Sequence, residues 1–227
     1  MADHPYRDPK KIYFFFDYIS HNAYLAWHRL PELAQRHELI IEPVPVLFAA
    51  LLKAYNQVGP AELPVKSGWM LKNVLRKARK LQLPMAPPAS HPFNPLAALR
   101  LSCCELPRAA RADLITRLYA GTWAQSRAMH EPAVLQEIVR EAGFDADALL
   151  AEADSEPVKR QLRDNGEQAL AAGVFGVPTM IVRGELFWGY DDWQQLEDFL
   201  AGRDPLGHDG SALAGWDAVR PSAQRRK

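Results

Sequence analysis

A continuous apolar run, Ile12-Tyr13-Phe14-Phe15-Phe16, predicts a strand buried on both faces. Residues 17–22 form a short, mostly polar break. From Ala23 the spacing of Tyr24, Leu25, Trp27, Leu30, Leu33 and Ala34 predicts an amphipathic helix, kinked or restarted at Pro31. Residues 39–46 read as a second strand. Its prolines, Pro43 and Pro45, lack amides on the same side, which marks a sheet edge. Strand, helix and edge strand make a βαβ unit, most simply parallel and right-handed.

Between residues 47 and 171 the strand pattern almost disappears. Helical spacing covers 68–81, 95–106, 109–128, 132–142, 146–153 and 156–172. Glu131-Pro132 and Glu156-Pro157 read as helix starts, with proline in the first turn. The proline-rich residues 83–95 are an extended connection. Strand pattern returns at 179–182 and 185–188 around Arg183-Gly184, an antiparallel hairpin. Asp191-Asp192 then caps a last helix with Trp193, Leu196, Phe199 and Leu200 on its apolar face. With the helical stretch set aside, the order βαβ-αββα is that of a thioredoxin-like core. The expected fold class is therefore α/β. Residues 11–46 and 173–201 form the core, 47–172 a large all-helical insertion, and 203–227 a loosely held tail.

Composition narrows the function classes. The 227 residues carry 27 Lys+Arg and 27 Asp+Glu, so no global field attracts nucleic acid or an acidic membrane. Cys103 and Cys104, the only cysteines, are adjacent, which argues against a secreted disulfide framework and offers no zinc spacing. The seven histidines show no ligand spacing, and no metal is expected. Residues 1–10 lack the apolar core of a signal peptide, and no apolar run is long enough to span a bilayer. The chain reads as a cytoplasmic protein, in a compartment where reduced glutathione is abundant.

The segment Gly173-Val174-Phe175-Gly176-Val177-Pro178-Thr179 marks a strand entrance, because proline cannot supply a central ladder donor. The bond into Pro178 is either an ordinary trans peptide or, as is typical of this topology, cis. Across the same corner stands Ser20-His21-Asn22-Ala23, where redox relatives carry Cys-x-x-Cys. Without those cysteines a dithiol oxidoreductase is excluded. Ser20 is then either a plain helix N-cap or a hydroxyl that donates to a thiolate supplied by a bound cofactor.

Several ordered pieces carry a family likeness. Phe16-Asp17-Tyr18-Ile19-Ser20 with Ala23-Tyr24-Leu25-Ala26 resembles the opening motif of the 2-hydroxychromene-2-carboxylate isomerases and the related kappa-class glutathione transferases. Gly59-Pro60-Ala61-Glu62-Leu63-Pro64-Val65-Lys66 resembles their PPAxxPxK segment, and His91-Pro92-Phe93-Asn94 their HPFN-like turn. Glu131-Pro132, residues 174–179 and Phe187-Trp188-Gly189-Tyr190-Asp191 follow in the same order. The likeness covers residues 11–201.

The resemblance implies glutathione as cofactor and Ser20 as the catalytic hydroxyl facing its sulfur. It implies that Val177, before Pro178, pairs with the cysteinyl unit through its main chain. Tyr190 and Asp191 would hold the γ-glutamyl end, and Lys66 a glutathione carboxylate. Asn94 and Trp188 would lie nearer the aromatic substrate. Without the surrounding motifs, Asn94, Trp188 and Lys66 read as a turn residue, a packed aromatic and a solvated charge. His21 replaces the family's usual proline, with a solvated side chain expected, and Arg76-Lys77-Ala78 falls where isomerases often have Arg-Trp-Ala. The implied activity is glutathione-dependent isomerisation of a 2-hydroxychromene-2-carboxylate-type catabolite by a homodimer. A kappa-like transferase or peroxidase and a non-catalytic binding protein are the alternatives.

Overall fold

The computed structural model describes residues 5–206 and 211–220. The apolar run forms β1 (Lys11–Phe16), the second of four strands in the order β2-β1-β3-β4. β2 (Ile40–Pro45) pairs with it in parallel, and β3 (Thr179–Val182) antiparallel. β4 (Glu185–Trp188) completes the hairpin with β3. Phe14 therefore lies between Pro43 and Met180. Alternation sends Ile12, Phe14 and Phe16 to one face and Tyr13 and Phe15 to the other, and each face has its own buried cluster.

The first face is covered by α1 (His21–Arg36), with Leu25, Trp27, Leu30 and Leu33 buried. Between β2 and β3 the chain runs through α2 (Phe48–Ala54), α3 (Pro64–Lys80), α4 (Leu96–Leu101), α5 (Arg108–Trp123), α6 (Pro132–Glu141), α7 (Ala146–Ala153) and α8 (Glu156–Ala171). Ala169 of α8 and Leu51 of α2 pack in the second cluster, with Tyr13 and Phe15. α9 (Trp193–Leu200) follows the hairpin and returns Trp193, Leu196 and Leu200 to the first face. A thioredoxin-like core carrying a helical insertion is thus observed.

Some local expectations are corrected. α1 passes through Pro31 without a break, because the proline is exposed while Leu30, Leu33 and Ala34 stay buried around it. α2 carries a helix that the proline-flanked sequence did not disclose. α4 ends at Leu101, so Cys103 and Cys104 lie in the turn after a helix and not within one; both are free thiols. Asp192 is the N-cap residue of α9 but makes no side-chain cap bond. Of the expected loose tail, residues 207–210 and 221–227 lie outside the described residues. Ser211–Leu213 and Trp216–Ala218 form two short 3-10 turns.

β2 is an edge strand, as its prolines require. Ile40 and Val46 donate to the carbonyls of Lys10 and Phe16, so by the two-residue period Pro43 and Pro45 face away from β1. The outward carbonyl of Pro45 accepts from Asn165 Nδ2 at 3.1 Å.

Candidate functional site

The site is built where β1 stops. The fully buried Asp17 accepts from the amides of Ile19 at 3.2 Å and Phe48 at 2.9 Å, which turns the chain into α1. Burial pushes its pKa up to about 7, against the pull of backbone amides from Phe48, Ile19 and Tyr18. Ser20 follows in extended conformation as the N-cap, its Oγ accepting from the Ala23 amide at 3.2 Å. The same hydroxyl donates to the Val177 carbonyl at 3.2 Å. The Val177-Pro178 peptide is cis, as is His91-Pro92. Val177 is nearly buried, and its amide has no acceptor among the described residues. Ser20, Val177 and Pro178 therefore meet across one corner.

His21 departs from its expected solvated role. Its ring packs edge-on against Trp123, centroids 5.7 Å apart, and its Nδ1 is buried without a hydrogen-bond partner among the described residues. Burial, then His91 and Lys77, pull its pKa down to about 4, with Asp191 opposing. The imidazole is thus neutral at neutral pH. His91 leans on the same indole at 5.5 Å and places Nε2 2.9 Å from the Ile19 carbonyl, which makes Nε2 the protonated nitrogen. Trp123 in turn donates to the Tyr18 carbonyl at 2.9 Å. Beneath it the Ser102 hydroxyl donates to Ala98 O at 3.0 Å, so the Tyr18 hydroxyl is the donor in its 2.6 Å bond to Ser102.

The turn from β4 to α9 abuts this corner. Gly189 N donates to Pro178 O at 2.8 Å. The exposed Trp188 crosses Gly176, where a Cβ would lie 2.5 Å from the indole Nε1. Asp192 accepts from the Trp188 amide at 2.9 Å, which ties α9 to the strand. Asp191 Oδ1 lies 2.8 Å from Lys77 Nζ, and that ammonium stands 5.7 Å from the Tyr190 ring centroid. Trp188, Tyr190 and Asp191 are thereby joined to the Ser20 corner.

Two expected residues are not drawn in by any contact. Lys66 is exposed in the first turn of α3, and its ammonium has no ion pair among the described residues. Asn94 is exposed, and its Oδ1 accepts from Leu96 N at 3.1 Å in the turn before α4. Conversely, the structure brings in Lys77, to which the sequence assigns no role. A signal existed: it lies on the α3 face of Val74 and Ala78, which are buried. A cavity of about 700 Å³ lies elsewhere, beside β2 and α8, and is lined by Glu42, Cys103, Arg111 and Asn165 among others. Burial pushes the Cys103 thiol there up to about 12, so it stays protonated. Among the described residues no group of three or more His, Cys, Asp or Glu is placed to hold a metal, and no helix is long and apolar enough to cross a membrane.

Fold and corner together define a thioredoxin-fold protein with no cysteine at the helix N-terminus where a dithiol would stand. The sequence pattern of the DSBA-like thioredoxin domain matches residues 11–201. A 2-hydroxychromene-2-carboxylate isomerase of Sphingobium xenophagum is 32% identical over 196 residues, covering 84% of this chain and 98% of its own. The glutathione S-transferase kappa 2 of Caenorhabditis elegans is 26% identical, covering 85% and 92%. Among solved structures, a 2-hydroxychromene-2-carboxylate isomerase superposes with a TM-score of 0.79 at 24% identity, covering 92% of this chain and all of that one, a likeness of fold. The chain belongs to the DSBA-like thioredoxin-domain family and, within it, to the 2-hydroxychromene-2-carboxylate isomerases, and it is an isomerase enzyme.

Proposed function

We propose that the protein is a glutathione-dependent isomerase that interconverts a 2-hydroxychromene-2-carboxylate-type catabolite and its trans-o-hydroxybenzylidenepyruvate form. The observation that carries this reading is the Ser20 hydroxyl at the α1 N-terminus, 3.2 Å from the Val177 carbonyl. Four features fit glutathione. The free Val177 amide and its carbonyl can pair with a peptide like an added strand. The first amides of α1 have no intrahelical acceptor and favour an anion. The Ser20 hydroxyl can turn from Val177 toward a sulfur. Asp191, at the far end of the corner, can accept from an ammonium.

Glutathione bound here would supply a thiolate nucleophile for reversible addition to, and elimination from, the substrate's conjugated double bond, and would be released unchanged. The chain's own part is to favour that thiolate. Ser20 donates one hydrogen bond to it, and the α1 amides add their partial positive charge. His21, neutral at neutral pH, neither adds charge at this helix end nor serves as a ready base. Trp188, Asn94 and Lys66 are proposed to meet the aromatic substrate or a carboxylate.

Ser20→Ala is expected to lower glutathione-dependent turnover on the order of a hundredfold, as loss of one preorganised donor does. The pH at which the bound thiol ionises should rise, read by ultraviolet thiolate absorbance. Full turnover by the variant with glutathione removed would sink the proposal. The kappa-class relative favours a second reading, in which the thiolate attack is not reversed. Conjugation of a chloronitroaromatic acceptor at a higher kcat/KM than the hydroxychromene substrate would select it.

A further inference from the structure

The balanced charge of the whole chain conceals one segment that is far from balanced. α3 carries six basic residues and no acidic one. Of the six, only Lys77 forms an ion pair among the described residues, on the side of the helix that buries Val74 and Ala78. The opposite side presents Val65, Trp69, Lys72, Arg76, Arg79 and Lys80, all exposed and stepped by three or four residues over about 21 Å of helix axis. Val65 is 90% exposed and Trp69 62%. Seven of the twelve exposed large apolar side chains among the described residues fall between Tyr55 and Leu75, so the apolar surface is gathered here and not scattered. The only carboxylate between residues 55 and 80, that of Glu62, is turned back onto the Gly59 amide at 2.8 Å.

Cations in the last turn of a helix complement its dipole, which accounts for Arg79 and Lys80. It does not account for Lys72 and Arg76, which stand one turn apart in mid-helix and repel each other without a counter-charge. Nor does it account for an indole left in water beside them. We propose that the outward side of α3 is a docking surface for an anionic phospholipid bilayer. Headgroup phosphates and carboxylates supply the counter-charges along the stripe, while Val65 and Trp69 enter the headgroup boundary, the level at which indole rings settle. The convex helix face needs no matching pocket in such a partner. A second copy of the chain meeting this face about a two-fold axis would set the same cations against one another. With a bilayer outside α3, Lys77 on the inward side still reaches Asp191, so the Ser20 corner stays uncovered.

The test is sedimentation of the full chain with lipid vesicles. The chain should pellet with phosphatidylcholine vesicles that contain phosphatidylserine, stay in solution with phosphatidylcholine alone, and be released by high salt. Lys72→Gln combined with Arg79→Gln should weaken partitioning about thirtyfold, at about fivefold per cation. Arg160→Gln combined with Arg163→Gln, exposed on α8 and the same change in net charge, should leave it unchanged. Trp69→Ala should weaken it several-fold, with far-UV circular dichroism as in the wild type. Equal losses in the two double variants, or no pelleting with the anionic vesicles at low salt, overturn the proposal. Tighter binding of single-stranded RNA than of vesicles at the same salt overturns it in favour of a nucleic acid. A dimer that Trp69→Ala dissociates in sedimentation velocity overturns it in favour of a second copy.

Discussion

The Ser20 hydroxyl has one proton and, in the structure, one acceptor for it, the Val177 carbonyl. The sequence left a choice between a cap and a functional hydroxyl, and the geometry shows that the two are compatible. The oxygen's lone pair caps the Ala23 amide while its proton points across the corner. Gly176 is a second residue whose identity is dictated locally. A side chain there would collide with the Trp188 indole, which is half-exposed and packs on the Phe175 ring with centroids 5.1 Å apart, so the indole would have to shift. Gly176→Ala should therefore raise KM for the aromatic substrate several-fold and change glutathione affinity less, in steady-state kinetics with each varied in turn. Equal changes in both would mean that the Val177 backbone has moved.

Elements are readable where their local residue chemistry is distinctive. The aromatic run of β1, the prolines of β2 and the turn at Arg183-Gly184 each announce a strand through local chemistry. Pro31 misled, because its local cost is outweighed by the tertiary packing of its neighbours. α5 matters for the site through its last residue. Trp123 carries His21 and His91 on its ring and donates to Tyr18 O. Trp123→Phe keeps an aromatic surface but leaves that buried carbonyl without its donor. A loss of about 1 kcal/mol is expected in urea unfolding. An unchanged midpoint would show that the bond contributes nothing.

At the scale of the molecule, what the sequence could not disclose is contact between distant segments. Lys77 and Asp191 are 114 positions apart, and only the folded arrangement of α3 against the β4–α9 turn makes them a pair. The same holds for two buried titrating groups with opposite pH behaviour. Asp17 is raised from 3.8 to about 7 in the fold, so the stability it contributes is present below about pH 4 and lost as pH rises toward 7. His21 is lowered from 6.5 to about 4, so its contribution is present above about pH 6.5 and lost as pH falls toward 4. Between about pH 4 and 6.5 the two offset one another. His21→Gln should unmask the Asp17 slope, with stability falling from about pH 4.5 to 7 by up to about 1.4 kcal/mol per pH unit. A wild-type slope equal to the variant's in urea titrations would show that His21 ionises normally.

The two prolines of β2 have a consequence beyond the βαβ unit they helped to reveal. The open side of that strand has no amide at Pro43 or Pro45, and Asn165 occupies the Pro45 carbonyl. A foreign strand arriving there finds two of the outward amides missing and one acceptor taken. Sheet growth from this edge is thereby disfavoured, which protects the β2 side of an otherwise apolar sheet against edge-to-edge aggregation.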